Sequence, residues 1–421
     1  MKARTHVLVK IKRFVRILGP GLITGASDDD PSGIATYTQA GAAFGFQTLW
    51  TALLTFPLMA SIQEMCARIG LVTSTGLTTT LKKHYPKWVL YAMLVFSFPA
   101  ITLNIGADIE GMAAVAHMLF PAIPIFAYSL FIAVLIIFVI IRFPYERIAA
   151  WLKWLCIVLL LYIVVPFMVK VDWGSVFKHT FVPTIHFNKD FMNMLVAILG
   201  TTISPYLFFW QANMEAEDIN CKTRKVIVNK YVLKNMKTDV DMGMLFSNLV
   251  MFFIILTAGA VLFPHGIRQV DTIDQAAKAL EPLTGRFTYL LFAIGVIGTG
   301  LLAIPVLSGS LSYIMAETFD MSEGLSKTFK EAKTFYITII VSVLIGLSLD
   351  FVGISPINAL IYTAILYGIT APVMIAIVLH ICNNKEIMGE HTNSKLANIS
   401  GIITFVLMTA AAIGVIWFQF G

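Results

Sequence analysis

The sequence predicts an all-α, polytopic membrane protein with about eleven transmembrane helices. Of its 421 residues, 58% are hydrophobic and 13% are charged, whereas soluble domains carry roughly a quarter charged residues. The mean hydropathy is +0.81. Apolar stretches of about 20 residues, the length of one bilayer crossing, recur from end to end.

The first expected span, 17–40, is interrupted; the second and third cover 47–69 and 88–117. A fourth runs over 122–141 and a fifth over 147–169. The sixth, 191–214, is interrupted again, and the seventh covers 241–263. The remaining four lie at 287–316, 334–350, 356–381 and 396–418. Basic residues gather in alternate loops: Lys10, Lys12, Arg13 and Arg16 before span one, Lys82, Lys83 and Lys87 after span two, Arg142 and Arg147 after span four. Lys222 to Lys237 add another group after span six. The positive-inside rule then puts the N-terminus in the cytoplasm and, with an odd number of spans, the C-terminus outside a cell membrane. Segment 1–16 reads as a retained cytoplasmic basic tail, having no small-residue cleavage signal. The basic, weakly amphipathic segment 222–240 reads equally as a helix on the cytoplasmic leaflet or a solvated loop.

Net charge +6 does not indicate nucleic-acid binding, because the basic residues sit where membrane orientation places them. Cys66, Cys156, Cys221 and Cys382 are scattered without CxxC spacing, which excludes a zinc site or a disulfide frame. The histidines fall mostly in tails, loops and span ends, and none forms HExxH, so an intramembrane enzyme finds no support.

The chemistry concentrates at two breaks. Asp28-Asp29-Asp30-Pro31-Ser32-Gly33 lies inside the first span. A carboxylate at mid-membrane costs about 2.5–3.5 kcal/mol on insertion scales. Pro31 and Gly33 weaken the helix there, and open backbone at membrane depth is tolerated only against protein or a wet cavity. Cation binding accounts for both features. In the sixth span, Gly200-Thr201-Thr202-Ile203-Ser204-Pro205-Tyr206 inserts a Gly, hydroxyls and a Pro into apolar surroundings. One broken span at the start of each five-helix half is the pattern of transporters built from inverted repeats, whose breaks meet at the midplane and coordinate ions or substrate. The halves are expected at 17–172 and 186–382, with 396–418 as an additional helix.

Gly19-Pro20-Gly21, Asp30-Pro31-Ser32-Gly33, Gln39-Ala40-Gly41-Ala42 and Phe44-Gly45 together resemble the first span of the NRAMP divalent-metal transporters, whose core motif is Asp-Pro-Gly-Asn. Ser204-Pro205-Tyr206 falls where that family has Met-Pro-His. The resemblance implies a LeuT-type fold, two inverted five-helix repeats followed by one further helix. It also implies that Asp30 is a metal ligand and that Thr201 contributes a backbone carbonyl. Gly33 replaces the family's Asn and Ser204 its thioether. The metal set is then Asp30, Thr201, Ser204 and the Gly33 position, a hard, oxygen-only shell. Such a shell suits a partly hydrated Mg²⁺, which sheds water reluctantly. These altered motifs resemble the NRAMP-related magnesium transporter branch, which carries Mg²⁺ and also admits Mn²⁺.

Ser27, Asp28, Asp29, Asp108, Tyr206 and Gln211 are pathway or relay candidates. Asp28 and Asp29 point away from Asp30, at about 100° per residue, either lining a vestibule or merely hydrated at the break. Asp108, with Asn104 and Glu110, lies in span three near a position where the family has an acidic residue. Tyr206 and Gln211 stand where the family has histidines, and neither titrates near neutral pH. Uptake of Mg²⁺ by alternating access without proton coupling is therefore expected. The alternatives are a proton-coupled Mn²⁺/Fe²⁺ carrier or a carrier of an organic substrate. No cofactor is expected. The partners are the transported ion and the lipid bilayer, with no nucleic acid and no obligate protein partner evident.

Overall fold

The computed structural model describes residues 19–144, 147, 159–220, 227–270, 272–281, 288–351 and 353–420. The basic tail 1–16, residues 148–158 of the fifth expected span, Cys221 and the start of the 222–240 segment lie outside the described residues, and with them Cys156. The described chain is helical. The first span is two half-helices, α1 (Pro20–Asp28) and α2 (Pro31–Phe44). They are followed by α3 (Trp50–Thr73), α4 (Leu77–His84), α5 (Lys87–Leu119) and α6 (Ile125–Arg142). Next come α7 (Leu161–Met168), which is the described end of span five, and the short α8 (Trp173–Phe181). The sixth span is again two half-helices, α9 (Lys189–Thr202) and α10 (Pro205–Asn220). Helices α11 (Lys230–Val261), α12 (Ile273–Ala277), α13 (Thr288–Thr318), α14 (Lys333–Leu347), α15 (Pro356–Asn383), α16 (Lys385–Met388) and α17 (Lys395–Phe420) complete the order.

Among the described residues, seven helical stretches are long and apolar enough to cross a bilayer by themselves. The other expected spans fall short for visible reasons. Span one is cut into pieces of 9 and 14 residues, α14 has only 15, and α3 carries Gln63, Glu64 and Arg68 within its apolar run. The Glu64 and Arg68 charges pair at 3.2 Å, and Arg68 also donates to the carbonyls of His391 and Thr392, docking the last interhelical loop. Cys66 and Cys382 are buried free thiols.

Neither reading of segment 222–240 matches the structure over its described part. From Lys230 it is the first part of α11, continuous with span seven. Asn229 caps this helix by accepting the amides of Tyr231 and Val232. Met236 and Val240 then bury themselves, while Lys234 and Lys237 remain exposed. The amphipathic pattern is real, and from Met236 onward its apolar face packs against protein, while Ile227 and Tyr231 stay exposed.

Both half-helices of span one run against α11, while α9 packs on α15, and α10 packs on α3 and α13. Backbones approach closely at these crossings because small residues line them. A Cβ on Gly25 would lie 2.1 Å from the carbonyl oxygen of Gly243, and one on Gly243 would lie 2.1 Å from that of Gly21. A Cβ on Gly41 would lie 2.8 Å from the Gly259 nitrogen and one on Gly200 2.3 Å from that of Gly368, both too close for a side chain. The outer faces are apolar: Phe131, Val134 and Phe138 on α6, and Leu396, Val406 and Trp417 on α17, are exposed. That is the surface a bilayer covers.

Polar groups also hold α1 to α11. The Asp239 carboxylate accepts the free amides of Gly19 and Gly21 at 2.7 Å and of Leu22 at 3.2 Å. It satisfies the orphan donors of the α1 N-terminus and complements that end's positive dipole. Hydrogen bonds to a charged acceptor are worth about 1.5–3 kcal/mol. Asp239→Ala is therefore expected to accelerate hydrogen–deuterium exchange of the 19–22 amides by about tenfold or more, read by mass spectrometry on the full chain. Unchanged exchange would show that glycine packing alone holds α1.

Candidate metal site at the two helix breaks

The two breaks share one local construction. In the first, Asp29 leaves the helix (φ −82°, ψ 54°), Asp30 caps the next one, and Pro31 opens it. In the second, Ile203 leaves the helix (φ −112°, ψ 59°), and Ser204 precedes Pro205, which opens α10. Proline suits the first turn because its missing amide would be unpaired there anyway. Asp30 and Ser204 thus occupy equivalent places in the two breaks. The C-terminal ends of α1 and α9, where unpaired carbonyls give a partial negative charge, suit a cation.

Asp30 is held from both sides. Its Oδ1 accepts the Gly33 amide at 2.7 Å, and its Oδ2 accepts Asn104 Nδ2 of α5 at 3.0 Å. The same Asn104 amide reaches Asp108 Oδ2 at 3.4 Å, so one side chain bridges the two carboxylates. Asp108 Oδ1 and Asn104 Oδ1 have no hydrogen-bond partner among the described residues. The Ser32 and Thr201 hydroxyls face each other across the breaks at 3.4 Å. Ser204 Oγ turns back to donate to the carbonyls of Gly200 at 3.0 Å and Thr201 at 2.7 Å. One lone pair of the Thr201 carbonyl, expected to be open for a metal, is therefore engaged, and the second remains. The neighbouring Thr202 points the other way, against Tyr37 OH and the Met251 thioether.

Gly33 has an ordinary backbone conformation. A Cβ there would meet the Asp28 carbonyl oxygen and Asp30 Oδ1, each at 3.5 Å, in normal contact. A Cβ is accommodated there, directly beside the Asp30 carboxylate.

Asp28 and Asp29 sit apart from this group, on the α11 side. Ser247 Oγ lies 2.7 Å from Asp28 Oδ2 and 3.4 Å from Asp29 Oδ1. Asp28, Asp29 and Asp30 are 1%, 0% and 2% exposed, so in this conformation none of them lines an open vestibule or meets bulk water. Asp28 Oδ1 and Asp29 Oδ2 lack partners among the described residues. The Ser27 carbonyl accepts the Tyr206 hydroxyl at 3.3 Å. Gln211 lies farther along α10, where its amide accepts from Thr24 of α1 at 2.6 Å and donates to Glu215 at 3.1 Å. It ties the two half-helices together at a distance from Asp30.

The breaks therefore bring together Asp30, Ser32, Thr201 and Ser204, with Asn104 and Asp108 behind them, and leave Gln211 outside. Among the described residues no group of three or more His, Cys, Asp and Glu side chains is placed to hold a metal. Beyond the Asp30 carboxylate, the oxygens at the breaks are hydroxyls and backbone carbonyls. Sequence reasoning gives Asn104 too little weight, although its four-residue spacing from Asp108 puts both on one helix face. Ser247 carries no signal, because a serine in an apolar helix is indistinguishable from packing. A cavity of about 550 Å³ lies beyond one end of the breaks, bordered by Gln39, Asp190, Asn193 and Asn358. Another of about 360 Å³, bordered by Gly19, Pro20, Glu217 and Asp218, lies by the N-terminal end of α1.

The chain resembles curated relatives over nearly its whole length. It is 25% identical over 407 residues to the "Divalent metal cation transporter MntH" of Caldanaerobacter subterraneus subsp. tengcongensis, covering 95% of this chain and 93% of the relative. It is 26% identical to the protein of the same name from Bacillus subtilis, covering 95% and 92%. Both are named as transporters, a non-enzymatic class. Among solved structures, the Eremococcus coleocola manganese transporter superposes with a TM-score of 0.74 at 18% identity, covering 96% of this chain and 87% of that one. Mhp1, a nucleobase-cation-symport-1 family transporter, superposes with a TM-score of 0.59 at 11% identity, covering 94% and 92%. These likenesses give the chain the LeuT-type transporter fold. A family model described as "Natural resistance-associated macrophage protein-like" matches residues 21–418, and with that span covered the chain belongs to the NRAMP family.

Proposed function

We propose that this protein carries divalent metal cations across a membrane by alternating access, with partly hydrated Mg²⁺ as its main substrate and Mn²⁺ also admitted. The relatives' names support the divalent cation. The observation that carries the Mg²⁺ reading is the donor set at the breaks. Asp30 supplies one carboxylate, Ser32, Thr201 and Ser204 supply hydroxyl oxygens, and Gly33 supplies no side chain. A thioether or imidazole would favour transition metals; this set does not. Mg²⁺ is commonly held through one or two carboxylates with several waters kept, and the small residues leave room for them.

The same reading makes transport potential-driven. The groups that replace histidines in span six are the Tyr206 phenol and the Gln211 amide, both engaged in fixed hydrogen bonds. Each charge gains about 2.3 kcal/mol per 100 mV, so a doubly charged ion enters an inside-negative cell without a proton gradient. The polypeptide is oriented with its N-terminus inside and C-terminus outside, following the basic loops. Two halves, 17–172 and 186–382, move against each other around the breaks, with 396–418 outside the repeats.

Proteoliposomes containing the full chain are expected to take up Mg²⁺ under an inside-negative potential with no accompanying acidification, and Asp30→Ala is expected to abolish the flux. Normal flux in Asp30→Ala would remove Asp30 from the site, and proton entry tracking Mg²⁺ would establish coupling. The combined variant Gly33→Asn/Ser204→Met adds an amide oxygen and a thioether beside Asp30. It is expected to shift the Mn²⁺ over Mg²⁺ preference by about tenfold or more. An unchanged preference in competition flux would show that selectivity resides elsewhere.

A further inference from the structure

The end of the molecule bearing the basic loops holds a second group of buried oxygens, separate from the breaks. Glu317, at the end of α13, is 4% exposed. Its Oε2 accepts the Thr79 amide at 2.6 Å, while its Oε1 has no hydrogen-bond partner among the described residues. Asn213 of α10 donates Nδ2 to the Phe209 carbonyl at 3.0 Å, which fixes the amide so that its oxygen points off the helix. That oxygen and Glu317 Oε1 converge. A Cβ built on Gly76 would lie 2.1 Å from Asn213 Oδ1 and 1.9 Å from Glu317 Oε1. Two acceptors therefore crowd one small space, and neither has a proton to offer while Glu317 is ionised.

Glu323, in the loop after α13, lies within electrostatic reach of Glu317, and its Oε2 also lacks a partner among the described residues. Burial, opposed by the Lys327 ammonium and reinforced by the Glu217 carboxylate, pushes the Glu323 carboxyl up to about 7. The nearby cations make their hydrogen bonds and ion pairs elsewhere, Lys327 acting on Glu323 only at longer range. Lys82 Nζ pairs with Asp320 at 2.6 Å and donates to the Thr318 carbonyl at 2.8 Å. Lys327 Nζ donates to Ser322 at 3.2 Å. Glu217 is satisfied by the Tyr313 hydroxyl and the Ser326 amide. The unmet acceptors are Glu317 Oε1, beside Asn213 Oδ1, and Glu323 Oε2, within electrostatic reach of Glu317.

We propose that Glu317, Glu323 and Asn213 form a second divalent-cation site, of Mg²⁺ type, that pins the half-helix α10 to the end of α13. Two carboxylates and an amide carbonyl are hard donors, and the partly exposed Glu323 leaves an approach for retained water. A cation held there braces α10 against α13 and resists its movement during opening at that end. If that end faces the cytoplasm, accumulated Mg²⁺ slows its own further entry; this consequence rests on the Mg²⁺ uptake reading, whereas the site itself does not.

The test uses the full-length Asp30→Ala protein in detergent, titrated with Mg²⁺ alone by isothermal calorimetry, so the result does not depend on what the breaks bind. One Mg²⁺ per chain is expected to remain bound. Adding Glu317→Gln and Glu323→Gln is expected to weaken it by about tenfold or more, since affinity follows ligand charge count. Glu323→Gln alone, in a loop where loss of fold is not at issue, is expected to weaken it by a smaller factor. Absence of Mg²⁺ binding in Asp30→Ala, or unchanged affinity in either further variant, would overturn the proposal.

Discussion

Three consecutive carboxylates buried at one helix break are the constraint on which the rest of the structure depends. Left unpartnered in a low-dielectric interior, each charge would cost several kcal/mol, about 2.5–3.5 even on permissive scales. The chain divides them between two opposing helices. Ser247 of α11 meets Asp28 and Asp29, while Asn104 of α5 and the α2 N-terminus meet Asp30. Pro31 fixes where the division falls, because it opens α2 and leaves Asp30 as the capping residue, with Asp29 at the end of α1. The break is thus a way of turning adjacent side chains in different directions, which a continuous helix of about 100° steps achieves less completely.

The packing around the break follows from the same need. Half-helices of 9 and 14 residues cannot rely on their own length for stability. They are held by close glycine crossings on α11 and, at the α1 end, by Asp239. The second break repeats the construction with Ile203, Ser204 and Pro205, using hydroxyls where the first uses carboxylates. One break brings charge and the other neutral oxygen. On the proposed reading, a cation between them would meet a single strong ligand and several weak ones, an arrangement in which it keeps much of its own water.

Much of this is legible in the sequence. The hydropathy pattern locates the spans, and a proline beside a polar run locates both breaks, because intramembrane acids and helix breakers are rare enough to stand out. The resemblance of Asp30-Pro31-Ser32-Gly33 to a known motif points to the family before any contact is known. Less legible are contacts between distant residues. Nothing local distinguishes Ser247, or marks Asp239 as the cap for Gly19, 220 positions earlier, and for Gly21. Segment 222–240 misleads for a related reason: an amphipathic stripe reveals an apolar face but not what covers it. The engagement of the Thr201 carbonyl escapes a sequence reading because the short reach of Ser204 back to it is a matter of rotamer rather than spacing.

The central claim is that the breaks hold a hard cation through few protein oxygens and several waters. Electron–nuclear double resonance on Mn²⁺ bound to the full chain, compared in H₂O and D₂O, reads the first coordination shell directly. In the Glu317→Gln/Glu323→Gln protein, strong exchangeable-proton couplings from several bound waters are predicted, with no nitrogen coupling, and they are lost when Asp30→Ala is added. A shell without exchangeable water protons, or one with a nitrogen ligand, would contradict it.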